Sequence, residues 1–163
     1  MESKGPPMKT MAERIAQHPF CAGMDARLLQ ELATGAREAK FPPNHVLFRQ
    51  GEPASSFYLI ESGRVSVEAH QPADGTVTIQ NVEAGEALGW SWLFPPFAWQ
   101  FQARALEPVQ ALILNGGHLL VTAERDHEFG YELMKRVARV AMRRLHAARQ
   151  QLLAREVESA LDG

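Results

Sequence analysis

The residues best equipped for recognition lie between Gly85 and Ala105, GEALGWSWLFPPFAWQFQARA, a stretch holding all three tryptophans and three of the eight phenylalanines. Indole and phenyl rings make walls for flat or apolar ligands rather than reagents for bond breaking. The candidate ligand-lining set is Leu88, Gly89, Trp90, Ser91, Trp92, Trp99, Phe101 and Ala103, with no lysine or arginine in the stretch before Arg104. The same rings have a second use, filling a core where a ligand would otherwise sit, and the sequence leaves lining and filling open.

Other chemistries find little support. Ser91 has no histidine in a recognisable partner motif, so it reads as a helix-capping residue rather than a nucleophile. Glu83 and Glu86 flank a turn glycine and read as solvated carboxylates. His18, His45, His70, His118, His127 and His146 are scattered, unlike the close spacing that a metal site on strands requires. Cys21 stands alone, which rules out an internal disulfide, a cysteine-based zinc site and an iron-sulfur cluster within one chain, and points to a reducing, cytoplasmic setting. No phosphate loop or dinucleotide fingerprint occurs. The expectation is a protein that is not an enzyme and holds no metal or cofactor.

The elements that must position the aromatic stretch follow from periodicity. Gly89 permits a tight reversal, the next residues make a helical turn, and Pro95-Pro96 forbid its continuation. Trp99, Phe101, Ala103 and Ala105 alternate with Gln100, Gln102 and Arg104, which predicts a strand with the first set inward. Upstream, helices are expected over Met8 to His18 and after Asp25, where Leu28, Leu29 and Leu32 share a face. From Glu38 the period becomes two. Short strands are expected at Phe41, 46–48, 57–61, 64–70, 77–82 and 109–114, separated by Pro, Gly, Asn and Asp turns that include an Asp74-Gly75 hairpin signal. The fold class is mainly β with flanking helices, an antiparallel jelly-roll (double-stranded β-helix) barrel followed by a long C-terminal helix. The divisions are N-terminal helices over 1–35, barrel over 36–114 and C-terminal helices over 115–163.

Asn115 and Asp126 are N-cap candidates for the last two helices. In the second, Met134, Ala138, Ala141, Leu145, Ala148 and Leu152 step by four and three, the seam of a coiled coil, which predicts pairing with a second copy of the chain. Leu133, Val137 and Val140 lie on an adjacent face that packs on the barrel. Charge is asymmetric: Lys135, Arg136, Arg139, Arg143, Arg144, Arg149 and Arg155 fall between Leu133 and Arg155 without one carboxylate, so of a total of −2 the remaining 156 positions carry −9. A basic helix of this kind fits an acidic protein partner. At 163 residues, 45% hydrophobic and 22% charged, the chain is an ordinary globular domain with a sizeable core. Neither a signal peptide nor a run long enough to span a membrane is evident.

The run GEPASSFYLIESGRVSV, Gly51 to Val67, resembles the signature of cyclic-nucleotide-binding domains. The order of helices, barrel and long helix, over roughly Phe20 to Leu153, is similar to the effector domain of the catabolite-activator (CRP/FNR) family of bacterial regulators. That resemblance implies a pocket in which a Gly-Glu pair opens a short helix, the Glu takes the ribose hydroxyl, and an arginine on the next strand neutralises the phosphate. Setting Gly89 on the family glycine puts Trp90 at the Glu position and Trp99 at the arginine position. Amides of Ser91 and Trp92 remain for an anion. Loss of the arginine alone costs about one to two decades of affinity, since a charge-assisted hydrogen bond contributes roughly 1.5 to 3 kcal/mol. Rescue from the long helix by Arg136 or Arg139 needs a geometry that the sequence does not give.

Family regulators continue into a helix-turn-helix module. Only about ten residues follow Leu153, which predicts no sequence-specific DNA binding. The function expected is that of a non-enzymatic dimeric sensor with an altered aromatic pocket that does not take cAMP in the usual way. The alternatives are an adaptor with a blocked pocket that docks an acidic partner through the basic helix, and a genuine cyclic-nucleotide-binding protein.

Overall fold

A computed structural model describes residues 8–73 and 75–162. The chain opens with α1 (Met11–Gln17) and α2 (Ala26–Ala33). Local side chain to backbone bonds set both starts: Thr10 accepts from the Glu13 N–H at 3.1 Å and Asp25 from the Arg27 N–H at 3.2 Å. α1 therefore begins later than the expected Met8. Residues 1–7 and the Asp74 of the hairpin signal lie outside the described residues.

Eight strands follow: β1 (Arg37–Phe41), β2 (Val46–Phe48), β3 (Ser56–Ser62), β4 (Arg64–Gln71), β5 (Gly75–Glu83), β6 (Ala87–Leu88), β7 (Gln102–Ala105) and β8 (Val109–Asn115). They form two antiparallel four-stranded sheets, ordered β1-β8-β3-β6 and β2-β7-β4-β5. This is the expected jelly-roll class. β3 pairs with β8 through Tyr58↔Ile113 and Leu59↔Leu112, and β4 with β7 through Val65↔Ala105 and Val67↔Ala103.

Burial explains why β3 reads as a continuous apolar run, with Phe57, Tyr58, Leu59 and Ile60 all buried. Phe57 meets Phe20 edge to face at 5.1 Å on the helical side, while Tyr58 faces Phe48 and Trp99 between the sheets. A strand covered on both faces has no polar side to show. On β4, Glu68 is 2% exposed and bonded by Arg104, Gln102 and Ser66, a buried charge kept by full pairing. Burial opposes its ionisation, yet the bonds from Arg104 and Gln102 outweigh that and hold its pKa below the ordinary carboxylate value.

α3 (Gly116–Arg125) starts where Asn115 accepts from the His118 N–H at 3.0 Å. α4 (His127–Asp162) starts where Asp126 accepts from the Phe129 N–H at 3.1 Å. Leu133 and Val137 are buried, and Val140 packs partly against the core. The seam residues Met134, Leu145 and Leu152 are exposed on the single chain. Among the described residues no helix is long and apolar enough to cross a membrane.

Candidate functional site

The aromatic stretch divides its rings between two tasks. β6 pairs Leu88 with Tyr58, and Gly89, at φ +85°, turns the chain out of the sheet into a 3-10 turn over Ser91–Leu93. Trp92 points into the core, 2% exposed, tilted on Phe57 at 5.6 Å and donating its Nε1–H to the Gly89 carbonyl at 2.9 Å. It also lies over Gly116 of α3, where an added Cβ would stand 2.6 Å from its Cγ. Trp90 is two residues back on a tight turn and points elsewhere. Its ring is half-buried and faces α4.

After the prolines the chain pairs with the turn preceding β3. Trp99 N–H donates to the Glu52 carbonyl, Gly51 N–H to the Trp99 carbonyl and Ala54 N–H to the Phe97 carbonyl, at 2.9, 2.8 and 2.7 Å. Trp99 is thereby fixed with its ring stacked on Phe48, centroids 3.8 Å apart and planes 14° apart, and 5% exposed. The expected inward strand from Trp99 onward is corrected here. Residues 97–99 pair with the Gly51–Ala54 turn and β7 starts only at Gln102, so Gln100 and Phe101 form the bend between two sets of partners. Phe101 is consequently 43% exposed rather than buried, while Ala103 and Ala105 do face inward.

A cavity of about 200 Å³ remains between the sheets and α4, bounded by Leu88, Gly89, Trp90, Ser91, Trp99 and Phe101 together with Phe48, Val67, Ile79 and Arg144. Six of the eight sequence candidates meet there. Trp92 and Ala103 do not, because one turns into the helical layer and the other lies in the sheet beneath. Lining and filling thus both occur: Trp92 and Trp99 fill, while Trp90, Phe101 and one face of Trp99 line. Ser91 does not cap. The cap position of the turn is Trp90, without a side-chain bond, and Ser91 is its first residue.

Arg144 was not anticipated. The geometry that rescue by Arg136 or Arg139 would need is not found at this cavity, for Arg136 Nη1 is committed to the carbonyls of Phe20 and Ala22, each at 2.9 Å, and Arg139 borders a separate groove beside Gly85–Ala87. Arg144 instead lays its guanidinium 4.6 Å from the centroid of the Trp90 ring and donates to the Ala87 carbonyl. The signal was in the sequence: Leu133, Val137 and Val140 step by four and three along the barrel-facing stripe, and the next step of four falls on Arg144.

Among the described residues no cluster of three or more His, Cys, Asp or Glu could hold a metal ion. His18 is buried and structural: Nδ1 accepts from the Phe20 N–H at 3.2 Å and Nε2–H donates to the Ile60 carbonyl at 2.9 Å, an arrangement that fixes the tautomer. Burial of the Cys21 thiol pushes its pKa up to about 12, so it stays a thiol.

Comparison with known proteins bears on this geometry. The chain is 44% identical over 78 residues to the acetyltransferase Pat of Mycolicibacterium smegmatis, covering 48% of this chain and 23% of that protein. It is 25% identical over 130 residues to a CRP-like cAMP-activated global transcriptional regulator of Mycobacterium tuberculosis, covering 79% of this chain and 58% of the regulator. A solved structure from Geobacter metallireducens GS-15, described provisionally as a cyclic nucleotide-binding protein, superposes with a TM-score of 0.75 at 29% identity, covering 85% of this chain and all of that one. The chain thus spans about a quarter of the acetyltransferase and under two thirds of the regulator. The expectation that enzyme activity is foreign to such a chain is overturned by the acetyltransferase: its relatives include enzymes, and the domain is a module that occurs within them. Among the described residues only α3 and α4 follow β8, and neither belongs to a DNA-binding domain. The family model for the cyclic nucleotide-binding domain matches residues 38–126, more than half of the sequence, and takes in the glycine-aromatic signature, both sheets and the aromatic stretch. The chain belongs to the cyclic nucleotide-binding domain family.

Proposed function

We propose that this chain is a regulatory module whose pocket responds to a small molecule other than a standard cyclic nucleotide, and which works as a pair joined along α4. The observation that carries this reading is Trp99. At the position where the resemblance calls for the phosphate-neutralising arginine, an indole is stacked on Phe48 and pressed against Gly89, whose added Cβ would lie 2.8 Å from the ring. Trp90 takes the place of the ribose-binding Glu. A phosphodiester entering among these rings loses hydration, a penalty of several kcal/mol per ion, and meets neither family partner. The remaining cavity keeps the module open to a ligand, and α4, which forms one side of it, is the element that would pass the change to a second copy. In this reading the barrel, 36–114, senses, and the helices of 1–35 and 115–163 brace and transmit.

Titration followed by tryptophan fluorescence and calorimetry tests the reading. cAMP and cGMP are expected to give no saturable signal up to high micromolar concentration, whereas flat organic ligands give one. Sub-micromolar binding of cAMP would sink it.

A second reading rests on α4 itself. Arg139, Arg143, Arg149 and Arg155 make no ion pair or side-chain hydrogen bond among the described residues, and four arginines, Arg136, Arg139, Arg143 and Arg144, border the groove beside Glu86. A row of cations in which Arg139 and Arg143 have no carboxylate partner among the described residues fits an acidic protein partner.

A further inference from the structure

The barrel-facing stripe of α4 changes character at its last contact. Leu133 and Val137 are fully apolar and buried, Val140 is half-buried, and the next position delivers a guanidinium into the same interface. Among the described residues Arg144 donates to one acceptor, the Ala87 carbonyl, although a guanidinium carries five N–H donors in a fixed plane. No carboxylate lies within ion-pair distance of it among the described residues. Glu86 is the nearby acid, and its influence is felt only through space. Burial is the larger effect and depresses the pKa of Arg144 to about 10, the mark of a cation stripped of water without a counter-ion.

The rest of the cavity is neutral. Its walls are the rings of Trp90, Trp99, Phe48 and Phe101, and its other polar side chains are Ser91, Gln80 and Gln100. One cation facing an aromatic slot defines a complementary shape and charge. The single positive site suits a single negative group, the planar fork of arginine suits a flat oxyanion, and the indole and phenyl walls suit a flat ring.

We infer that the pocket binds a planar aromatic monoanion, its charged group on the free donors of Arg144 and its ring against Trp90 and Trp99. The assignment rests on the proposed ligand-responsive pocket and names its ligand class. It also places the counter-charge on α4 rather than on a strand, so that ligand charge acts directly on the helix.

The test compares naphthalene-2-carboxylate with its neutral isostere naphthalene-2-carboxamide and with cAMP, by calorimetry and tryptophan fluorescence at pH 7.5. The proteins are the unaltered chain, Arg144→Gln, Arg144→Lys and, as a neighbouring control, Arg143→Gln. In the unaltered chain and in Arg143→Gln the carboxylate should bind about tenfold or more tightly than the carboxamide. Arg144→Gln should abolish that preference, and Arg144→Lys should keep part of it. The lysine variant serves as the readout if the glutamine variant has a lowered Tm. Equal affinities for the two naphthalenes overturn the anion site while leaving a ligand-responsive pocket. A preference that survives in Arg144→Gln overturns it too. Silence from both naphthalenes overturns the anion site and the pocket reading together. Binding of cAMP that disappears in Arg144→Gln supports the anion site and overturns the altered specificity.

Discussion

Gly89 has the least freedom of any residue at the site. Its φ of +85° is a conformation that L side chains rarely adopt, and an added methyl would stand 2.8 Å from two atoms of the Trp99 ring, which is itself stacked on Phe48 and cannot retreat. Left-handed backbone costs roughly 1 to 2 kcal/mol for a residue with a Cβ, and overpacking a close-packed core costs about 1 to 3 more. Gly89→Ala should therefore destabilise by about 2 to 4 kcal/mol in urea unfolding and shift the tryptophan emission, because Trp99 has to move. A change under 0.5 kcal/mol would show that the ring is not locked. The glycine was legible as a turn from its place between apolar residues. The division of labour among Trp90, Trp92 and Trp99 was not, since a three-residue turn sends neighbouring side chains to different layers and only the layers decide which ring lines and which fills.

At the scale of elements, local rules carried the reading and nonlocal pairing limited it. Thr10, Asp25, Asn115 and Asp126 cap helices through bonds spanning two or three residues, and three of these four were visible in advance. The apparent alternation after Trp99 failed because residues 97–99 and β7 pair with different parts of the chain, which no local pattern records. Arg144 escaped notice for a related reason: it lies 54 positions from Trp90, and a run of seven cations hides the one that reaches this cavity. The join between the N-terminal helices and β3 depends on another such long-range contact, His18 to Ile60, and it makes stability depend on pH. Burial lowers the pKa of His18 below 6.5, with the bond to Ile60 only partly opposing it. As pH falls below about 6.5 the unfolded chain takes up a proton that the folded imidazole refuses, so stability drops until the folded pKa is reached and levels off beneath it. Urea unfolding between pH 7.5 and 5 should show this loss, and His18→Ala should remove it. The variant should cost about 1 to 3 kcal/mol at pH 7.5, since the Phe20 N–H is left without a buried partner while the Ile60 carbonyl keeps the Gly85 N–H. An unchanged pH slope in the variant would assign the effect to another group.

For the whole molecule the open question is what supports the far half of α4. The helix is 36 residues long, and every described side chain from Leu145 to Asp162 is exposed, so at 1.5 Å per residue roughly 27 Å of helix extends without packing on the barrel. Most helical stability in proteins comes from packing of an amphipathic face, and this half of α4 has none on the single chain. Leu145 is 50% and Leu152 60% exposed, and they lie in register with Met134, Ala138, Ala141 and Ala148 along one seam. The proposed pairing through that seam would supply the missing burial and carry the far half of the helix with it. Amides between Arg149 and Ala160 should then exchange slowly at high protein concentration and quickly at low. Leu145→Glu should bring them to fast exchange at all concentrations and shift sedimentation from dimer to monomer, while amides of β3 and β8 keep their protection. Concentration-independent exchange in the unaltered chain would instead mean that the seam faces water, and a change in the pocket would then have no second copy to reach.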